Sequence, residues 1–159
     1  MTQTAKTVTN PVDLGVADSV LPPDHGREVA GRVVLDYDAR CLRRKRLTTD
    51  SGAAFMVDLP QTVSLSGGMA LALTDGRAIE VAEAYEPVLH ITGDLLRLAW
   101  HIGNRHCPCQ IGTDHLVIRA DPVLEQMVLQ LGGSVTRSFA PFCPEGGAYG
   151  HGRTFGHSH

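Results

Sequence analysis

Aromatic residues are scarce in this chain: they are 5% of its 159 residues, with a single tryptophan. Proteins that read single-stranded nucleic acid stack bases on exposed rings, so the scarcity argues against that class. Charge of one sign is lacking too. Fourteen Lys and Arg against 17 Asp and Glu leave a formal net charge of −3. That balance disfavours nucleic acid or an anionic membrane as the main partner. No run approaches the roughly 18 apolar residues that span a bilayer. Met1 to Asn10 is polar and Thr-rich, without the apolar stretch of a secretory signal. The expectation is a cytoplasmic protein with no membrane partner. Catalytic signatures are also missing: there is no Gly-x-Ser-x-Gly elbow, phosphate loop or His-Glu-x-x-His helix, and the carboxylates are scattered. A non-enzymatic role follows as the expectation.

What is present is ordinary in bulk and unusual in one residue type. Hydrophobic residues are 43% and charged residues 19%, enough for a packed core. The length suits one domain or two small ones, and two small ones would be marginal alone, which favours oligomerisation. Four cysteines in a reducing compartment are available to packing or to metal. Eight histidines stand out.

The chain divides by pattern. Residues 1–12 read as a disordered arm and residues 13–82 as a small all-β domain. Short runs such as Arg32–Leu35, Ala54–Val57 and Met69–Leu73 are separated by turn dipeptides at Ser51-Gly52, Gly67-Gly68 and Asp75-Gly76. Residues 83–141 change character. A strand at Val88–Ile91 precedes a helix over Asp94 to Gly103, with Thr92 or Asp94 as cap and Leu95, Leu98, Ala99 and Ile102 as its apolar stripe. Two short strands follow, Cys109–Gly112 and His115–Arg119. Next comes a helix capped by Asp121, with Pro122 in its first turn, Leu124, Met127, Val128 and Leu131 on its buried side and Gly132 as its stop. Ser134–Ala140 is the last strand. The order βαββαβ predicts a ferredoxin-like domain, two helices on one face of a four-stranded antiparallel sheet, and an α+β fold overall. Residues 142–159 read as a flexible Gly/His tail.

Three constellations could carry chemistry. In His101-Ile102-Gly103-Asn104-Arg105-His106-Cys107-Pro108-Cys109, Gly103 and Asn104 tolerate a left-handed cap, which puts His106 on a turn just past the helix. An imidazole held there can donate its lone pair to a metal; a surface histidine favoured by the helix dipole is the plainer reading. His101 reads as structural. Cys107 and Cys109 would share a strand face if extended and could chelate a soft ion, or could pack as small hydrophobes. The second constellation is the tail. Its histidines, His151, His157 and His159, lie on flexible glycine, and the eleven residues from Ala140 to His151 reach about 17 to 20 Å, enough to fold back. Third is the basic run Arg40, Arg43, Arg44, Lys45 and Arg46, a solvated hairpin face or a docking surface for an acidic partner.

The segments Trp100-His101-Ile102-Gly103-Asn104-Arg105-His106-x-Pro108 and Pro141-Phe142-x-Pro144-Glu145-Gly146-Gly147-Ala148-Tyr149-Gly150-His151 together resemble the urease accessory nickel chaperone family UreE. Arg43 to Leu59 is similar to that family's N-terminal domain. The resemblance implies an N-terminal β domain like a chaperone peptide-binding module and a C-terminal ferredoxin-like domain. It implies a homodimer with Ni(II) as cargo at its interface, gripped by the histidine matching His106 from both chains and completed by tail histidines, of which His151 matches the first. The implied partners are a urease accessory GTPase and the complex of apo-urease with its accessory proteins. Ala120 and Pro122 stand where some relatives carry further metal-binding histidines, so no peripheral site is expected there. Cys107, Cys109 and Cys143 replace residues that are more often not cysteine, and could bring Zn(II) or copper into play. The alternative is therefore a zinc sensor or store built on Cys107 and Cys109; an RNA-binding module borrows only the fold.

Overall fold

The structure is a computed structural model that describes residues 9–147. Two compact units emerge. Among the described residues, one contains those up to Val34, Arg43–Thr62 and Gly68–Val81; the other contains Leu35–Leu42, Val63–Gly67 and those from Ala82. Among the described residues no helix is long and apolar enough to cross a membrane.

The first half of the chain makes β1 (Asp13–Leu21), β2 (Val29–Leu35), β3 (Cys41–Thr48), β4 (Ala54–Ser64), β5 (Ala70–Leu73) and β6 (Ala78–Glu83). They form one curled sheet in the order β2-β6-β5-β1-β4-β3. The order is not a plain meander, because β1 lies between β5 and β4 and runs parallel to β4. Burial explains which strands are central. All four residues of β5 are buried, and Ala17 and Ile79 from its neighbours β1 and β6, with Phe55 and Val57 of β4, are almost fully excluded from solvent. Each large apolar side chain so buried contributes about 1.5–3 kcal/mol against the entropy of ordering the chain. Asp75-Gly76 forms a tight turn after β5, with Gly76 at φ 94°, a region closed to most side chains.

The second half is β7 (Tyr85–Thr92), α1 (Leu95–Asn104), β8 (Gln110–Ile111), β9 (Leu116–Arg119), α2 (Pro122–Gln130) and β10 (Ser134–Pro141). The sheet order is β10-β7-β9-β8, and the register pairs β7 antiparallel with β9 and β10, and β8 antiparallel with β9. This is the ferredoxin-like order the pattern predicts. Strand alternation sends Leu89, Ile91, Leu116 and Ile118 to one face, where Leu98 and Ile102 of α1 and Leu124 and Val128 of α2 meet them in one core. The opposite face carries a smaller cluster in which Val88 and Val117 pack against Tyr37 and Phe142.

Two expectations need correcting. Arg40 is no part of a solvated basic face. It is 3% exposed, and its guanidinium donates to the carbonyls of Leu35 and Phe142. Its Nε has no partner among the described residues, a desolvation cost offset only by the two bonds at the fork. The second correction concerns the end of α1, where the left-handed residue is neither Gly103 nor Asn104.

Candidate metal centre

Helix α1 begins where expected: the carboxylate of Asp94 accepts the backbone N–H of Arg97 at 3.3 Å. Leu98 and Ile102 are buried, with Leu95 and Ala99 packed beside them. The helix ends in a Schellman turn, in which the residue two past the cap bonds to the carbonyl five residues back and the residue between bonds to the one three back. The His106 N–H reaches the Gly103 carbonyl at 3.0 Å, and the Cys107 N–H reaches the Ile102 carbonyl at 3.4 Å. Cys107 also packs on the cluster that contains Ile102, the apolar contact that accompanies this turn.

The left-handed position of such a turn is usually glycine. Here it is His106, at φ 57°, the one non-glycine residue with positive φ among the described residues. Gly103 and Asn104 stay helical, and Arg105 is the cap at φ −92°. An L-residue in this region costs about 1–2 kcal/mol. Strain of this kind persists where the surroundings hold it and gathers at functional sites. The His106 side chain is exposed, and its ring makes no hydrogen bond among the described residues. Its position beyond the helix C-terminus, the negative end of the dipole, favours a bound cation.

Beside this turn α1 presents a second apolar face that the pattern reading did not single out. Leu96 is 88% exposed and Trp100 63%. They lie four residues apart on a line that continues to Gly103 and the turn. The signal was visible, since an apolar pair at i and i+4 outside the buried stripe asks for a cover. His101 meets the edge of the Trp100 ring, with 5.0 Å between centroids, in keeping with a structural role.

Two of the cysteines, Cys107 and Cys109, precede the short β8 and pack beside the helix-side core. Burial pushes the Cys109 thiol up to about 11, with Glu145 and Cys107 adding to it, and burial raises the Cys107 thiol as well. The Cys143 thiol, raised to about 11 by burial and then by Glu83, donates to the Glu83 carboxylate at 2.7 Å. Without a metal these thiols are held protonated at neutral pH. Among the described residues no three His, Cys, Asp or Glu side chains come together to hold a metal. His151, His157 and His159 lie outside the described residues.

The start of the tail is anchored. Phe142 is fully buried, the Cys143 N–H reaches the Gln110 side chain at 3.0 Å, and the Glu145 N–H reaches the Cys109 carbonyl at 2.9 Å. Glu145 and Gly146 thereby line a hollow of about 180 Å³ together with Gly103, Cys107, Pro108 and Cys109. The chain leaves the described structure beside the turn that carries His106.

Taken together, the described residues form a β module and a βαββαβ module with one exposed imidazole on a strained turn. The comparisons name the kind. The UreE urease accessory protein N-terminal domain matches residues 17–84, and the C-terminal domain of the same family matches residues 86–159. The chain is 59% identical over 143 residues to the urease accessory protein UreE of Rhodobacter capsulatus, covering 90% of this chain and 92% of that one. It is 52% identical over 149 residues to the protein of that name from Ruegeria pomeroyi, covering 93% and 100%. With the one from Paracoccus denitrificans it shares 60% over 122 residues, covering 77% and 79%. The chain belongs to the UreE urease accessory protein family.

Proposed function

We propose that this protein is a nickel metallochaperone that carries Ni(II) to apo-urease during assembly of the urease active site, holding the ion at the interface of a homodimer. The observation that carries the reading is His106, an exposed imidazole fixed by a backbone conformation that glycine would adopt at no cost. One imidazole is too little for a metal, and no group of three His, Cys, Asp or Glu side chains forms among the described residues. A two-fold axis would double it, because symmetry sets a residue against its own copy. The uncovered Leu96 and Trp100 beside the turn supply an apolar surface for such a contact.

The remaining ligands come from the tail. His151 lies five residues beyond Gly146 in a Gly-rich sequence, and Gly-rich chain of that length reaches about 11 to 13 Å. His151 is therefore within range of the turn, with His157 and His159 further along. Two fixed imidazoles plus mobile ones make a nitrogen-rich site with open positions, suited to nickel; copper and zinc would also enter it, so selectivity rests on geometry and supply. Ligands on a tether leave one at a time, which lets an acceptor's ligands replace them. The acceptors in this reading are the urease accessory GTPase and the complex of apo-urease with its accessory proteins, in the cytoplasm.

Calorimetric titration with Ni(II) tests the reading. The expected result is one tight ion per dimer, half an ion per chain, lost in His106→Ala. One tight ion per monomer, indifferent to that change, would overturn it.

A further inference from the structure

The most concentrated charge on the molecule is not at the proposed metal centre. Arg43, Arg44, Lys45 and Arg46 follow one another in β3, in a chain whose formal net charge is −3. Strand β3 stands at one end of its sheet, so one of its sides pairs with β4 and the other ends the sheet. All four basic residues are exposed, between Leu42 and Leu47, which are buried. Successive strand residues point to opposite faces. Solvent therefore reaches the side chains of this stretch on both faces, while the two leucines pin its ends and the Asp50 N–H beyond it bonds to the Arg32 carbonyl of β2. Arg44 pairs with Asp58 at 3.0 Å, and Arg43 leans on the Leu59 carbonyl at 3.4 Å. Lys45 and Arg46 have no ion pair or hydrogen-bonding side-chain partner among the described residues.

Edge strands often carry a cation simply to prevent pairing with other chains. One inward-pointing lysine does that. Four consecutive cations on both faces of a pinned, extended segment go further: they repel a like edge and favour an anionic one. A second copy offering the same strand is excluded by that repulsion. The chain's own segments outside the described residues are excluded too, because 1–8 and 148–159 contain no Asp or Glu. The occupant that fits comes from another protein.

We propose that the outer edge of β3 at Arg43–Arg46 is a docking strand for an acidic, extended segment of a partner protein. The partner's backbone adds to the outward N–H and C=O groups of β3, and its carboxylates, alternating across the new strand, meet Arg43 and Lys45 on one face and Arg44 and Arg46 on the other. Backbone pairing supplies the geometry, and charge supplies speed of encounter and choice of partner.

The test uses the full chain and a fluorescein-labelled ten-residue peptide repeating Glu-Glu-Thr-Thr, which as a strand sets carboxylates on both faces. Anisotropy at low salt is expected to show saturable binding that weakens as salt screens the charges. Lys45→Glu with Arg46→Glu should weaken it at least about 10-fold. Lys45→Gln with Arg46→Gln, which adds no repulsion, should give a smaller loss with an unchanged melting temperature. The same peptide N-methylated at alternate amides should bind at least about 10-fold more weakly, because it cannot complete a ladder. Amides of β3 should gain hydrogen-exchange protection only with the unmethylated peptide. Absence of saturable binding, indifference to the charge changes, or equal binding of the methylated peptide would overturn the proposal. So would equal competition by a ten-nucleotide oligothymidylate, which would mark a general polyanion surface. Half an ion of nickel per chain should survive the Lys45 and Arg46 changes, so this test and the test of the metal reading fail separately.

Discussion

At the scale of single residues, His106 separates stability from function. Its left-handed backbone is what glycine offers freely, so His106→Gly should relax the turn and His106→Ala should leave the strain in place. The expected order by denaturant unfolding is His106→Gly more stable than His106→Ala by about 0.5–1 kcal/mol, with both variants losing tight metal. Equal stability of the two would mean that the turn carries no strain. Cys109 gives a second residue-scale expectation. Its folded thiol is raised to about 11, mainly by burial, whereas a free thiol ionises nearer about 8.5. The folded state thus keeps its proton where the unfolded state has lost it. Stability is fully present below the unfolded value and declines as pH rises towards 11. Melting temperatures followed from pH 8 to 11 should fall less steeply in Cys109→Ala. Slow alkylation of the native thiol at neutral pH is the matching chemical check.

Helix α1 shows what an element adds. Its inner stripe was legible from spacing, because Leu98 and Ile102 recur at the helical period and the structure buries both. Its end was legible only in part. Gly103 and Asn104 are the residue types that suit a left-handed cap, yet both stay helical and the turn closes three residues later. The reason is tertiary: Cys107 has to reach the core beside Ile102, and that contact sets where the chain reverses. The outer line of Leu96 and Trp100 belongs to the proposed dimer. Trp100→Glu should shift the protein towards monomer in light scattering and weaken nickel binding, while circular dichroism stays native because the side chain is 63% exposed. An unaltered dimer would place the contact elsewhere.

Across the whole molecule, two modules share one chain but not one kind of legibility. The βαββαβ half followed from caps and periods, since Asp121 accepts the N–H groups of Val123 and Leu124, and Gly132 at φ 83° ends α2 as expected. The β half was readable as strands and turns, but its order was not. Nothing local in β1 says that it lies between β5 and β4. At this scale the metal reading also predicts a pH response. Imidazole coordinates only when neutral, so nickel affinity in competition with a chelator should fall steadily on acidification. A flat affinity down to pH 5 would rule out histidine as the ligand.

Period, caps and turn residues by themselves determined the element types, the antiparallel βαββαβ half and the place of His106 on a turn just past α1, because each depends on residues within a few positions of one another. Only the tertiary structure decided that Arg40 is buried, that Cys107 and Cys109 pack, and that His106 itself takes the strained turn. Those outcomes depend on contacts between residues far apart in the chain, such as Arg40 with Phe142 and Glu145 with Cys109. Local propensity carries no information about partners that only folding brings together.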